Sequence, residues 1–264
     1  MIIIENNTKY FHKNSVNEVR ALSGISLKIK EGEFVTIIGS NGAGKSTLLN
    51  GIAGGFFLDE GSIQIGKDDV THWPEYKRAK LISRVFQDPL LGTCPSATIE
   101  QNMALAFKRG KKRGLGIGVK SKDRSMFRLQ LKKLGLGLED RLLDHVGLLS
   151  GGQRQALTML MATMSRPEVL LLDEHIAALD PKTANQILAL TVKIVEEDQL
   201  TTLMITHNMK QAIALGNRLI MLHQGKIIFD IRGEERKSLT VNDLLNKFYS
   251  TQGEELAMDS LLLS

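Results

Sequence analysis

Residues 39–47 read GSNGAGKST, with an apolar run, FVTII (34–38), before them and a helical pattern (45–53) after them. The spacing is a full G-x-x-x-x-G-K-[ST]. Glycines let such a loop wrap closely, so the backbone N–H groups of Gly42 to Ser46 can point at phosphates. Lys45 adds a point charge for the β- and γ-phosphates, and the Ser46 hydroxyl can ligate Mg²⁺. A second stretch, VLLLDE (169–174), places two carboxylates just after a buried strand. In open parallel sheets ligands bind beyond the carboxyl ends of the strands. Asp173 is therefore expected to hold Mg²⁺ through water, and Glu174 to act as base or orienter for an attacking water.

Three further stretches carry weaker signals. His207 follows TLMIT (202–206) and reads either as a polar cap on a strand end or as a contact to a γ-phosphate. Gln87 follows ISRVF (82–86) and reads either as a neutral oxygen ligand for Mg²⁺ or water, or as a loop glutamine. LSGGQRQAL (149–157) puts a Ser-Gly-Gly turn at a helix start, which is a second anion site in a chain with one phosphate cradle.

The elements that must hold these residues alternate. Strands are expected at 1–5, 25–30, 34–38, 62–66, 82–86, 169–172, 202–206, 218–222 and 226–231, the last two joined by a turn at Gln224-Gly225. Helices are expected at 45–53, 98–108, 125–134, 139–144, 153–165, 181–197, 208–215 and 240–249. Short apolar strands alternating with helices predict a parallel sheet covered on both faces. The helical block after Pro89 reads as an insert, dividing the chain into 1–87, 88–165, 166–233 and a short terminal helix with tail, 234–264.

The 264 residues, 42% hydrophobic, suffice for a real core. The 24 glycines and 5% aromatic content favour an α/β nucleotide-binding protein over a β-sandwich. One cysteine, Cys94, excludes an internal disulfide and fits a reducing compartment. The N-terminal MIIIENNTKYFHKN lacks the apolar region of a signal peptide, and no apolar run approaches the ~20 residues that span a bilayer. A cytosolic chain that reaches a membrane only through a partner is the expectation. The net charge of +5 fits ordinary solubility or an acidic ligand, nucleic acid or an anionic surface.

Taken together, GSNGAGKST, VFQDP around Gln87, LSGGQ, VLLLDE, Asp180 in AALD, and His207 resemble, in type and order, the ABC-type ATPases that serve as nucleotide-binding subunits of ABC transporters. The resemblance covers about residues 2–230. It implies an α/β fold: a P-loop NTPase core with a mixed sheet (a parallel core plus an antiparallel β subdomain) and an inserted helical subdomain. It implies ATP and Mg²⁺ as cofactors. It also implies a head-to-tail dimer in which Ser150, Gly151, Gly152 and Gln153 of one copy face the ATP held by Gly39, Ser40, Asn41, Gly42, Ala43, Gly44, Lys45, Ser46 and Thr47 of the other. Phe11 aligns with the adenine-stacking aromatic, and Ser46, Gln87 and Asp173 with the metal ligands. Glu174, Gln87 and His207 align with the catalytic set, and Asp180 with the cross-dimer loop. Two positions depart from the pattern: His175 stands where the family usually has Pro, and Ala177 where it has Ser.

By the same likeness the partners are a second copy, a membrane permease docking in a groove lined by about 88–105, and an extracytoplasmic substrate-binding lipoprotein. The location is the cytoplasmic face of the membrane, the direction import, and the cargo a small solute such as an amino acid. The run 106–124 carries eight Lys or Arg and one Asp. It reads as a solvated loop, a lipid-headgroup contact or a nucleic-acid contact, the last disfavoured because only Phe107 interleaves with the charges. The competing reading is a soluble ABC-type ATPase acting on nucleic acid, ribosomes or a cytosolic assembly complex.

Overall fold

The computed structural model describes residues 1–111 and 118–252, so the middle of the basic run and the final tail lie outside the described residues. The chain forms two compact units, Met1–Arg78 with the stretch from Gln199 onward, and Ala79–Asp198.

In the first unit β1 (Ile2–Phe11) lies between β2 (Val19–Ile29) and β4 (Glu60–Ile65), both antiparallel to it, with the short β5 (Asp68–Asp69) at the edge. β1 outruns the expected 1–5 because its register slips between Ile4 and Asn7, where Asn6 has φ 51°. The slip breaks the in–out alternation that marks a strand in sequence. A second sheet has the order β10-β9-β3-β8. β3 (Phe34–Gly39) is buried at all six positions, as an inner parallel strand must be. It runs parallel to β8 (Thr202–Ile205) and β9 (Arg218–His223). β10 (Lys226–Arg232) returns antiparallel through Gln224 and Gly225, both at positive φ, the backbone a two-residue hairpin turn requires.

Helices α1 (Lys45–Ala53), α7 (Met209–Ala214), the single turn α8 (Glu234–Lys237) and α9 (Val241–Gln252) belong to this unit. Met209, Ala212, Leu244 and Phe248 pack on Ile38, Leu219 and Met221. Two buried arginines tie it together. Arg218 holds Asp230 with two bonds of 2.6 and 2.7 Å, and reaches Glu33 and the Lys28 carbonyl. Burial pulls its pKa down, but the two carboxylates outweigh burial and the net shift is upward. Arg78, at the end of the single turn α2 (Glu75–Arg78), donates to the carbonyls of Gly51, Ile52, Thr71 and Trp73. The first two belong to the last turn of α1, so a cation sits at that helix's negative end. Burial lowers the Arg78 pKa to about 10.

In the second unit β6 (Ile82–Val85) and β7 (Val169–Asp173) run parallel. Around a cluster that includes Ile99, Met103, Phe127, Leu131, Leu157 and Leu160 pack α3 (Ile99–Phe107), α4 (Ser121–Lys132) and α5 (Gly151–Thr163). α6 (Pro181–Glu197) follows β7. The helix expected at 139–144 is absent; one 3₁₀ turn, Leu138–Asp140, stands there. The carbonyls of Leu142 and Asp144 accept from the N–H groups of Glu100 and Ile99. They satisfy two of the open N–H groups at the start of α3.

Candidate functional site

In the first unit β3 ends at Gly39 and the loop 40–44 opens α1. Gly44 is the N-cap, with φ 97°, no side-chain capping bond and no acidic residue in the following turn. The first N–H groups of α1 and its positive dipole end are therefore not answered by a side chain of the helix itself. Asn41, Gly42 and Ser46 are exposed, whereas Ala43, Gly44 and Lys45 are buried. A Cβ at Gly44 would lie 2.5 Å from the Ala21 carbonyl oxygen, so β2 fixes the closeness of the loop. The Gly225 N–H donates to the Ala43 carbonyl and supports the loop from the β9–β10 turn. Lys45 Nζ donates to the carbonyls of Gly39 (2.7 Å) and Ser40 (2.9 Å). The cation thus stays within the loop in which phosphate would be held.

Phe11 ends β1 opposite Val19, two residues along β2 from Ala21. Two residues of strand span about 7 Å. The ring is thereby within a nucleotide's length of Gly44. It is exposed, edge-on to Phe56 at 5.5 Å between centroids. The Lys9 ammonium lies over both rings and is paired with Asp59 at 3.2 Å. His207 follows β8, whose Ile205 is level with Ile37 of β3, so His207 and the glycine loop lie at the same strand ends. Asn208 caps α7 and accepts from the Gln211 N–H.

In the second unit the register Val85–Leu172 brings Gln87, Asp173 and Glu174 to one edge. Gln87 is exposed, and Asp173 and Glu174 are half-buried. Glu174 has φ 48°, a conformation rare for a side chain of its kind and one that concentrates at functional sites. Arg84 Nη2 donates to Asp173 Oδ2 at 2.6 Å. Nothing in the sequence signalled that pair, because it joins two strands 89 residues apart. His175, at a position where Pro was expected, is buried, and its Nε2 lies 3.1 Å from Thr191 Oγ1. Since the Thr191 hydroxyl donates to the Ile187 carbonyl, Nε2 is the donor, and burial holds the imidazole pKa down at about 4.

Ser150 caps α5 reciprocally: its Oγ accepts from the Gln153 N–H, and the Gln153 side chain accepts from the Ser150 N–H. Arg154 gathers the carbonyls of Val146, Gly147 and Leu149, fixing the approach to Ser150. A Cβ at Gly152 would lie 2.3 Å from Thr183 Cγ2, whereas one at Gly151 would meet ordinary contact. Asp180 caps α6 through the Thr183 N–H, and its bonds to the Thr183 side chain and backbone hold its carboxyl below the usual range.

The loop after Gln87 is also built. Asn102 accepts from the Cys94 N–H and donates to the carbonyls of Cys94, Ala97 and Thr98. Thr98 caps α3, in a capping box with Gln101. Leu91 and Leu105 are exposed beside a cleft of about 400 Å³ lined also by Gly92, Asn102, Arg109 and Thr158. In the basic run Arg109 is turned inward to Ser83, Ser165 and the Ala162 carbonyl, and Arg124 forks onto Glu100. Two of the charges therefore serve the fold.

A glycine loop wrapped on an uncapped helix start beside strand ends that carry a histidine defines a nucleotide-binding ATPase cassette. The profile of the ABC transporter family matches residues 22–177, and the chain belongs to that family. It is an ATP-binding subunit, an ATPase of the kind coupled to transport. It is 47% identical, over 94% of its length and 98% of the relative's, to a tyrosine transport ATP-binding protein of Clostridioides difficile. It is 36% identical, over 85% of its length, to the bicarbonate transport ATP-binding protein CmpC of Synechocystis, of which it spans 32%. Among solved structures it is similar to the ATP-binding cassette MJ0796, a dimer in a post-hydrolysis state bound to ADP and Pi, with TM-score 0.74 and 32% identity over 88% of this chain and 98% of that one. Among the described residues no helix is long and apolar enough to cross a membrane.

Proposed function

We propose that the chain hydrolyses ATP as a head-to-tail homodimer on the cytoplasmic face of a membrane and drives a separate permease that imports a small solute of the amino-acid class. The observation that carries the shared site is the second helix start suited to an anion, Ser150–Gln153 on α5, in a chain with a single glycine-loop cradle. A Ser150 hydroxyl that accepts from its own cap still has a proton to donate. In the dimer that proton and the N–H groups of Gly151 and Gly152 serve the γ-phosphate held by the partner copy. The similar cassette MJ0796, a dimer with ADP and Pi bound, supports this reading.

Within the first unit, Gly39–Thr47 hold the triphosphate and Phe11 stacks on the base. Lys45 turns from the loop carbonyls to the β- and γ-oxygens, and His207 contacts the γ-phosphate. Ser46, Asp173 and Gln87 each carry an oxygen donor, the kind of ligand a hard ion such as Mg²⁺ prefers. Mg²⁺, if bound by these donors, would supply neutralisation of the charge that develops on the phosphates. Glu174 orients water and accepts its proton, and Asp180 serves the loop that crosses the dimer.

The cleft beside Leu91 and Leu105 takes a short cytoplasmic helix of the permease. The amino-acid class follows the tyrosine relative, to which the chain is related along nearly its whole length; cargo recognition would lie in the permease and an extracytoplasmic lipoprotein. Tagging the protein in its native host, extracting with mild detergent and identifying what co-purifies tests this reading. A multispanning protein in stoichiometric amount is expected. Recovery of only soluble proteins or RNA, with none of the chain in the membrane fraction, refutes it.

A further inference from the structure

We propose that Phe56 is a positioning residue for base recognition: its ring, held against α1 and Phe11, sets the plane that Phe11 offers to the base of the nucleotide. The inference rests on the reading above that Phe11 stacks on that base, and every residue it uses lies in the first unit. α1 ends at Gly54, whose φ of 85° turns the chain back on the helix, its N–H bonded to the carbonyls of Asn50 and Gly51. Phe56 is thereby laid over Gly51, where a Cβ would lie 3.6 Å from Phe56 Cε2. The same ring meets Phe11 nearly at right angles, 84° between planes and 5.5 Å between centroids, a geometry that aromatic pairs prefer. One side chain thus touches both the helix that opens at the glycine loop and the ring that would face the base.

The two rings stand on segments that are stitched together. The Tyr10 N–H donates to Asp59 Oδ2 at 2.8 Å, and the Asp59 N–H donates to the Thr8 carbonyl at 3.0 Å. Lys9 Nζ donates to the Phe57 carbonyl at 2.8 Å, and it lies 5.8 Å from the Phe11 centroid and 5.3 Å from the Phe56 centroid. The backbones beneath Phe11 and Phe56 are fixed relative to each other, so ring rotation is the freedom that remains. Phe11 is 36% exposed at the end of its strand, where a phenyl ring has more than one staggered rotamer open to it. Contact with Phe56 selects one of them before nucleotide arrives. The base then stacks on a ring already in place, and the entropy of immobilising that side chain is not lost at binding.

Calorimetric titration of the full chain tests this with two probes: Mg·ADP, which carries the base and is not turned over, and Mg·pyrophosphate, which carries no base. Phe56→Ala is expected to weaken ADP binding by about three- to tenfold, the scale of freezing one side chain, and to change pyrophosphate binding by less than about twofold. Phe56→Tyr, which keeps the ring, is expected to follow wild type. Phe56→Leu keeps an apolar contact with α1 but no ring; it is expected to match Phe56→Ala and replaces it should the alanine variant fail to fold. In a Phe11→Ala background Phe56→Ala is expected to cost nothing further, because no ring is left to position. Wild-type ADP affinity in both Phe56→Ala and Phe56→Leu overturns the proposal. So does an equal loss for pyrophosphate, which marks a general disturbance of the loop, and so does an undiminished loss in the Phe11→Ala background. Phe11→Ala separates the two layers: wild-type ADP affinity in that single variant removes Phe11 from the base site, and the underlying reading fails by itself.

Discussion

Gly152 sits at two demands, and they can be pulled apart. Within the chain, a Cβ there would come 2.3 Å from Thr183 Cγ2 on the first turn of α6. Overpacking of that kind destabilises by about 1–3 kcal/mol, toward the lower end here because threonine has a second helical rotamer. Alanine is a better helix former than glycine by up to about 1 kcal/mol, which offsets part of the loss. Gly152→Ala is therefore expected to lose about 0.5–2 kcal/mol in urea denaturation. Thr183→Ser removes the offending methyl while keeping the hydroxyl and the backbone N–H that Asp180 caps. In that background Gly152→Ala should be neutral or stabilising, a coupling of about 1–3 kcal/mol. A coupling near zero refutes the packing argument. The second demand is the proposed approach of a partner's γ-phosphate to the α5 backbone. A methyl at 152 obstructs that approach whatever stands at 183. The doubly substituted protein, placed in a Glu174→Gln background with ATP, should therefore regain stability and still fail to dimerise in sedimentation velocity. Dimerisation equal to that of Glu174→Gln alone would refute the role of Gly152 in the shared site.

Glu174→Gln itself is expected to bind ATP, to slow turnover by about 10²-fold or more, as loss of a general base does, and to accumulate an ATP-bound dimer. Wild-type hydrolysis would remove Glu174 from the mechanism. Lys45→Met should weaken ATP binding by about 2–5 kcal/mol, the scale for removing one partner of a buried charge contact; unchanged affinity in calorimetric titration would count against the cradle. Arg218→Met should destabilise the first unit by about 3–5 kcal/mol, because Glu33 and Asp230 lose their buried cation. A change below about 1 kcal/mol in denaturation at neutral pH would show that water relieves the two carboxylates instead.

The strands FVTII, VLLL, TLMIT and RLIML were legible because an inner parallel strand is apolar on both faces, and that pattern needs no partner to be recognised. β1 was legible only in part, since the slip at Asn6–Asn7 destroys the alternation by which a half-buried strand is read. The segment 139–144 misled for a related reason. Leu138 and Leu142 have helical spacing, but both are drawn into the core shared with α3, α4 and α5, and only one 3₁₀ turn, Leu138–Asp140, forms there. Thr98 could be recognised as a cap because its box closes within three residues, whereas Asn102, which fixes the loop from Cys94 to Thr98, gave no signal.

What the sequence alone determined are features whose physics is local. The glycine loop that leads into an uncapped helix, the carboxylates at the end of a buried strand, and the Ser150–Gln153 box each arise from residues a few positions apart. The tertiary structure alone decided which of these residues are held by distant ones. Asp173 is paired by Arg84 across the β6–β7 register, Gly44 is pressed on Ala21, and Gly152 is closed by Thr183. Two of the basic residues of the 106–124 run are committed to the helical core, and His175 is carried inward and kept neutral. Composition fixes how many charges a chain carries. Only strand register and helix packing, which bring together residues far apart in the chain, decide which of those charges meet one another and which remain for a ligand.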